Sequence, residues 1–413
     1  FLDFEFDIKN KIVEVFFPEV ILSKNTLISG FVNSDDADFK LNLKSPKIEA
    51  YDNTVDDIKL QIDNKNPLFN TQLTIDKISS KNYNISKLNL VNVTLNDTLF
   101  FRTEFYGGKK GRDKYDLGFY HTIDENNNSV VGVNTSEIDY RGTKWMLNPE
   151  SDKQNKMVFD NNFQKFEVID FEMISENQSV EFKGHSFGPE DKNFTLALDN
   201  VILEGITPDL EDWQFEGLID GDINYTINEN GVLPVANLTI ENFVVNDSYQ
   251  GNLDVQMLGR NSSETYSINL TLDHNDFDSL FANGVIDFAP EEPTVDVAFE
   301  FEKFKLDILS PIGDENFEDM RGHIYGNARL TGLLGNPDMD GEFYLFDAGL
   351  SMPYLNVNYD FEGTTIVNLH GQTFEIVDLT LKDDVKGTRG TLLGSISHDY
   401  FTDWKLDLNL NTD

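Results

Sequence analysis

Asn336, Asp338, Asp340, Gly341 and Asp347 stand at the spacing of positions 1, 3, 5, 6 and 12 of a calcium-binding loop. Such a loop folds oxygen ligands around a hard cation. Here Pro337 occupies the second position, no helical periodicity flanks the stretch, and Phe343 and Leu345 fit an alternating strand. The competing reading is a Pro-Asp turn entering a strand from Glu342 to Phe346. The Asp35, Asp36, Asp38 and Asp220, Asp222 groups read as turns. Six histidines (His121, His185, His274, His323, His370, His398) are scattered, and no two have metal-ligand spacing. Asp273, Asp276 and Asp278 crowd His274, but no nucleophile motif accompanies them. Carboxylate pairs of a glycosidase kind could be picked anywhere in so acidic a chain and carry no information. With no cysteine, thiolate zinc, disulfides and cysteine nucleophiles are excluded. No catalytic residue, metal site or cofactor is assigned.

What must position any site is a succession of strands. Apolar residues recur at every second position: Phe39, Leu41, Leu43; Ile58, Leu60, Ile62; Phe194, Leu196, Leu198; Ile268, Leu270, Leu272. Period two gives a strand with one apolar and one wet face. Turn signals separate runs of strand length, as at Asp35-Asp36, Asp63-Asn64, Asn126-Asn127-Asn128, Glu229-Asn230-Gly231 and Pro290-Glu291-Glu292-Pro293. Helical turns are expected only at Asp276–Asn283 and Leu306–Ser310. No Pro/Gly/Ser-rich linker divides the chain, so residues 1–413 read as one continuous sheet, with a soft seam at 147–157. A loose repeat relates Gly221 to Ile240 with Gly326 to Leu345, at spacings too variable for a common solenoid. Roughly 25 strands at about 4.8 Å would make a sheet of about 120 Å, which must twist and curl.

The chain carries 73 acidic against 32 basic residues, a balance that repels nucleic acid and anionic headgroups. Acidic residues such as Asp296, Glu300 and Glu302 occupy the polar phase of the alternation and read as solvated surface. Asn-x-Ser/Thr triplets, as at Asn92, Asn96, Asn193 and Asn237, follow from an Asn-rich composition and are not assigned as glycosylation sites. The absence of cysteine fits a bacterial envelope protein. The sequence has no signal peptide and no run long enough to span a bilayer. Starting at Phe1 and stopping straight after a strand, it reads as a stretch of a longer protein whose membrane anchor lies elsewhere.

The stretch Arg321-Gly-His-Ile-Tyr-Gly-Asn-Ala-Arg-Leu-Thr-Gly-Leu-Leu-Gly-Asn-Pro-Asp-Met-Asp-Gly-Glu-Phe-Tyr-Leu345 is followed by Leu350-Ser-Met-Pro-Tyr-Leu-Asn-Val-Asn-Tyr359, Leu379-Thr-Leu-Lys-Asp383, Gly394-Ser-Ile-Ser-His398 and Phe401-Thr-Asp-Trp-Lys-Leu-Asp-Leu408. In this order the segments, within residues 301–410, resemble the TamB family of translocation and assembly module proteins, relatives of the AsmA-like group. Upstream the likeness rests on strand style. The resemblance implies an all-β fold, an elongated β-taco in which a long curled amphipathic sheet with few short helices encloses an apolar groove. It implies no enzyme. It also implies a bacterial periplasmic bridge between inner and outer membranes that carries phospholipid, and an Omp85-type outer-membrane barrel (TamA- or BamA-like) as partner.

The inward stripe is read as Val295, Val297, Phe299, Phe301, then Leu306 and Ile308, with Phe343, Leu345, Leu355, Val357, Leu406 and Leu408 on neighbouring strands. Alternation alone does not separate a filled sandwich core, the common solution, from an open groove; the resemblance favours the groove. The 33 phenylalanines suit a lining that brings apolar area without a hydroxyl to satisfy. One function is binding phospholipid acyl chains along that face. The alternative is a chaperone module whose open sheet edges pair with nascent outer-membrane strands. A carbohydrate-binding β-protein would show aromatic residues on the wet face, and alternation reveals no clear cluster of them.

Overall fold

The computed structural model of the chain describes residues 1–9, 12–81, 83–108, 110–152, 154–207, 213–229, 231–260, 264–274, 277–308, 310, 318–353, 356–383, 385–399 and 402–412. The fold is all-β and its strand pairings are antiparallel, with two helices of about one turn among the described residues. It divides into two compact units, Phe1–Pro189 and Glu190–Asp413. The stretch 147–157 lies inside the first.

The first unit holds β1 (Leu2–Ile8), α1 (Ile12–Phe16), β2 (Val20–Leu22), β3 (Thr26–Asn33), β4 (Asp38–Ala50), β5 (Asn53–Asp63), β6 (Thr71–Ser79), β7 (Asn84–Leu95), β8 (Thr98–Gly107), β9 (Asp113–Ile123), β10 (Ser129–Val133), β11 (Ser136–Tyr140), β12 (Thr143–Leu147), β13 (Lys156–Phe159), β14 (Phe166–Ser175) and β15 (Gln178–Ser186). Because alternation stays in phase across its hairpins, like meets like: Phe6, Ile28, Leu43, Leu60, Leu73 and Leu90 are register partners in succession. Cross-strand apolar pairs of this kind are the unit of sheet stabilisation.

The second unit holds β16 (Lys192–Ile202), α2 (Leu203–Ile206), β17 (Phe215–Asn228), β18 (Gly231–Val245), β19 (Ser248–Gly259), β20 (Thr265–Asp273), β21 (Asp278–Asp287), β22 (Thr294–Lys305), β23 (Glu318–Leu333), β24 (Asn336–Met352), β25 (Val357–Phe361), β26 (Thr365–His370), β27 (Thr373–Asp383), β28 (Thr388–Asp399) and β29 (Thr402–Thr412). Each strand turns back on its predecessor except where the long β24 pairs with both β25 and β26. The two members of the loose sequence repeat are equivalent hairpins, with Gly221 opposite Leu238 and Gly326 opposite Phe343.

Of the two expected helical turns, one is replaced by strand and one is present. The helical turn expected at Asp276–Asn283 is strand from Asp278 onward, with Asp276 outside the described residues. Leu280 and Ala282 face the apolar side opposite Leu272 and Leu270, and Ala282 is fully buried, so period two wins over local helix propensity. After β22 the chain does make a short 3₁₀ turn at Asp307–Ile308.

Candidate functional site

The stretch with calcium-loop spacing is not a loop, and the strand read from Glu342 to Phe346 is present, starting already at Asn336. Asn336, Asp338, Asp340, Gly341 and Asp347 all lie within β24. At about 3.3 Å per residue, Asp338 and Asp347 are separated by about 30 Å, which no single cation bridges. Asn336 Oδ1 instead accepts a 2.8 Å bond from Gln372 Nε2, and Asp340 faces His370 at 4.0 Å. His274 packs on Phe277 and Tyr249, with Nδ1 2.9 Å from the Gln250 carbonyl, as a turn residue does. Among the described residues no three His, Asp or Glu side chains converge as a metal site would require.

The apolar face of the second unit is continuous. One row of register partners runs through Val201, Ile219, Ile240, Leu253, Leu272, Leu280, Phe301, Gly326, Phe343, Val367, Ile376, Gly394 and Leu408. It crosses thirteen strands, about 58 Å measured over the sheet at about 4.8 Å per strand. The next row carries Ala282, Phe299, Ala328, Gly341, Leu369, Phe374, Ile396 and Leu406. Of the residues singled out from the sequence, Phe301, Phe343 and Leu408 therefore share one row, and Phe299 and Leu406 the other. Val295 and Val297 are buried on the same strand face. Leu345 and Ile308 pack on the buried cluster of Leu272, Phe304, Leu306, Ile324 and Ala348. Val357 packs on Tyr359, Leu379, Leu381 and Leu392. Leu406, near the start of the edge strand, is 51% exposed, and Leu355 lies outside the described residues.

Phase is kept by a bulge. From Val295 to Phe301 the inward residues are odd-numbered; from Leu306 they are even. Glu302 and Lys303 together oppose Tyr325, with Lys303 at φ 55°, so the strand gains one residue and Phe304 turns inward. Phe304 is 8% exposed, with its ring 5.5 Å from that of Phe301, and alternation counted from Val295 passes over it.

Two glycines leave the first row without a side chain. At Gly326 (φ 128°) and Gly394 (φ 138°) a Cβ would stand 2.1 Å from the carbonyl oxygens of Glu342 and Asp407. Only glycine adopts this conformation without strain. From β23 to β29 the face is concave around a cavity of about 240 Å³ lined by Leu306, Ile324, Phe343, Leu345, Phe361, Val367, Phe374, Ile376, Leu379, Leu392, Ile396 and Leu408, with Thr365 as the one hydroxyl. Leu306 and Leu408 are six strands apart in sheet order, about 29 Å if the sheet were flat. A cavity of about 150 Å³ admits benzene, so this space accommodates a length of hydrocarbon.

The opposite face is charged. Arg329 makes a bidentate pair with Asp296 at 2.7 and 2.8 Å, holding that carboxyl below its usual range. The arrangement offers shape and apolar surface. No helix of the described residues is long and apolar enough to cross a membrane, which says nothing of strands. Comparison of the chain with protein-family models, with curated proteins and with solved structures gives no match.

Proposed function

We propose that this chain is a segment of a periplasmic bridge that binds phospholipid acyl chains on its apolar face and carries lipid between inner and outer membranes, in support of outer-membrane biogenesis. The observation that carries this reading is the unbroken apolar row from Val201 to Leu408, opening into the carbon-lined cavity between β23 and β29. An acyl chain crossing water loses roughly 0.8 kcal/mol per exposed CH₂, and a trough in constant phase removes that cost at every step. It needs no nucleotide and no residue-specific chemistry. Both membranes would be reached through regions outside this segment, and an Omp85-type barrel would receive its outer-membrane end.

The test is photo-crosslinking in cells with a reactive residue at Phe301 and, on the opposite face of the same strand, at Glu300. Lipid adducts at Phe301 and none at Glu300 are expected. Absence of lipid at both positions would make the face a closed structural core and sink the reading.

A second reading follows from β29, whose only strand partner among the described residues is β28. Its Trp404, Leu406 and Leu410 are 38%, 51% and 37% exposed. This edge suits strand addition by a nascent outer-membrane protein or a barrel. Proline at the β29 residues whose N–H points away from β28 would abolish assembly on this reading while leaving lipid adducts at Phe301 intact.

A further inference from the structure

The wet face of the second unit is not uniformly wet. Tyr344 and Ile366, 36% exposed each, are register partners on β24 and β26. Beside them Val377 is 52% exposed on β27 and Leu393 43% exposed on β28. Tyr325 of β23 pairs with Tyr344, and its ring meets Phe346, 41% exposed, edge-on at 5.1 Å. The six side chains form one stripe across five strands, about 19 Å long. A β27 bulge places Val377 and Asp378 together opposite Leu393 and turns Val377 outward.

One step along the strands, Glu342, Glu375 and Asp407 fall in a single row through Asn368 and Ser395. Glu342 accepts the Tyr344 hydroxyl and Glu375 a 3.5 Å bond from Asn368, but among the described residues none of the three has a cationic partner. An exposed apolar stripe with a carboxylate border is an interaction surface, and the border specifies what covers it.

We propose that this outer stripe is a docking surface for a cationic amphipathic helix of another protein. A helix laid along the stripe advances 5.4 Å per turn against about 4.8 Å per strand, so it offers roughly one apolar residue to each strand over about four turns, with Lys or Arg on one flank above the carboxylates. An anionic bilayer is repelled by the same border and by a net charge of −41, and a second copy carries identical charges. Three of the six side chains are aliphatic, which suits a helix better than a sugar ring. The inference does not depend on the lipid reading, since it concerns the opposite face.

The test uses the whole 413-residue chain and a fluorescent synthetic peptide of about 15 residues, with Leu along one helical face and Lys beside it, against a scrambled peptide of the same composition. The helical peptide is expected to bind, and Ile366→Asp with Val377→Asp to weaken it at least tenfold. Each Asp adds negative charge, so simple attraction of a basic peptide would strengthen binding instead. Glu342→Gln with Glu375→Gln should weaken binding and flatten its salt dependence. Leu406→Asp, on the other face, should change neither. All five positions border solvent, and circular dichroism checks that the variants fold. Equal binding of the scrambled peptide, or no loss in the Asp variants, would overturn the proposal. So would vesicle binding or self-association that these same variants abolish.

Discussion

Arg321 reaches across a glycine to Asp360, two strands away. Arg321, Gly349 and Asp360 are successive register partners on β23, β24 and β25. The guanidinium meets the Asp360 carboxylate at 2.5 and 3.2 Å and also donates to Asn358 Oδ1 at 2.7 Å and to the Tyr359 carbonyl at 3.1 Å. A Cβ at Gly349 would sit 2.6 Å from its Cζ. The pair therefore pins β25, the short strand that shares with β26 the place between β24 and β27.

Arg321→Ala should lower stability by about 1 kcal/mol, since the side chain is half-buried and several neutral acceptors lose a donor. Arg321→Lys should recover little, because one ammonium cannot serve the carboxylate, the amide and the carbonyl in one plane. Urea titration of the three proteins measures this; full recovery by Lys would reduce the contact to simple charge pairing.

The glycines of the first row should behave unlike a turn glycine. Gly326→Ala and Gly394→Ala are each expected to cost roughly 1–3 kcal/mol, from strain at positive φ and collision with a neighbouring carbonyl. Gly335, with open space about its Cβ position, should accept Ala at little cost. Equal midpoints for all three in urea would remove the argument that Gly326 and Gly394 are held to glycine by their backbone and the facing carbonyls.

The inward face was legible because its signal is redundant. Phe299 with Phe301, Phe343, and Leu408 belong to three separate alternating runs, and the register joins the runs. Phe304 was not legible, since a bulge changes the parity of a strand without changing its composition. The outer stripe escaped for the opposite reason. Its residues sit where alternation lapses into apolar doublets: Phe343-Tyr-Leu-Phe346, Ile366-Val367, Ile376-Val377 and Leu392-Leu393. Any one doublet is unremarkable, and only the register lines up four of them on neighbouring strands. The aromatic residues Tyr325, Tyr344 and Phe346 thus form the wet-face cluster that alternation did not reveal. The calcium spacing failed because a motif counts residues, whereas an extended strand sets them too far apart.

Core truncation should separate the buried middle of the second row from its open end. Leu369 is 0% exposed and Leu406 51%. Leu369→Ala is expected to cost about 2–5 kcal/mol through lost burial and a residual cavity, and Leu406→Ala under about 1 kcal/mol. Similar losses at both positions would mean that the edge strand is covered in solution.

Acidification through the histidine range should weaken the second unit. His398 is 7% exposed and packs against Phe374 and Trp404, at 5.7 and 5.0 Å between ring centres. Burial holds its pKa below the ordinary histidine value of 6.5, with Asp399 opposing only in part. His323 is lowered likewise, by burial first and then by Lys303. A group whose folded pKa lies below its unfolded one binds more protons when unfolded. Stability is therefore full above the ordinary value and falls as pH drops through it toward the folded value. The urea midpoint should decline between pH 7.5 and 5.5, and His398→Gln should make that decline shallower, because the neutral amide removes one of the two histidines whose pKa burial lowers. An unchanged slope in His398→Gln would assign the pH dependence elsewhere.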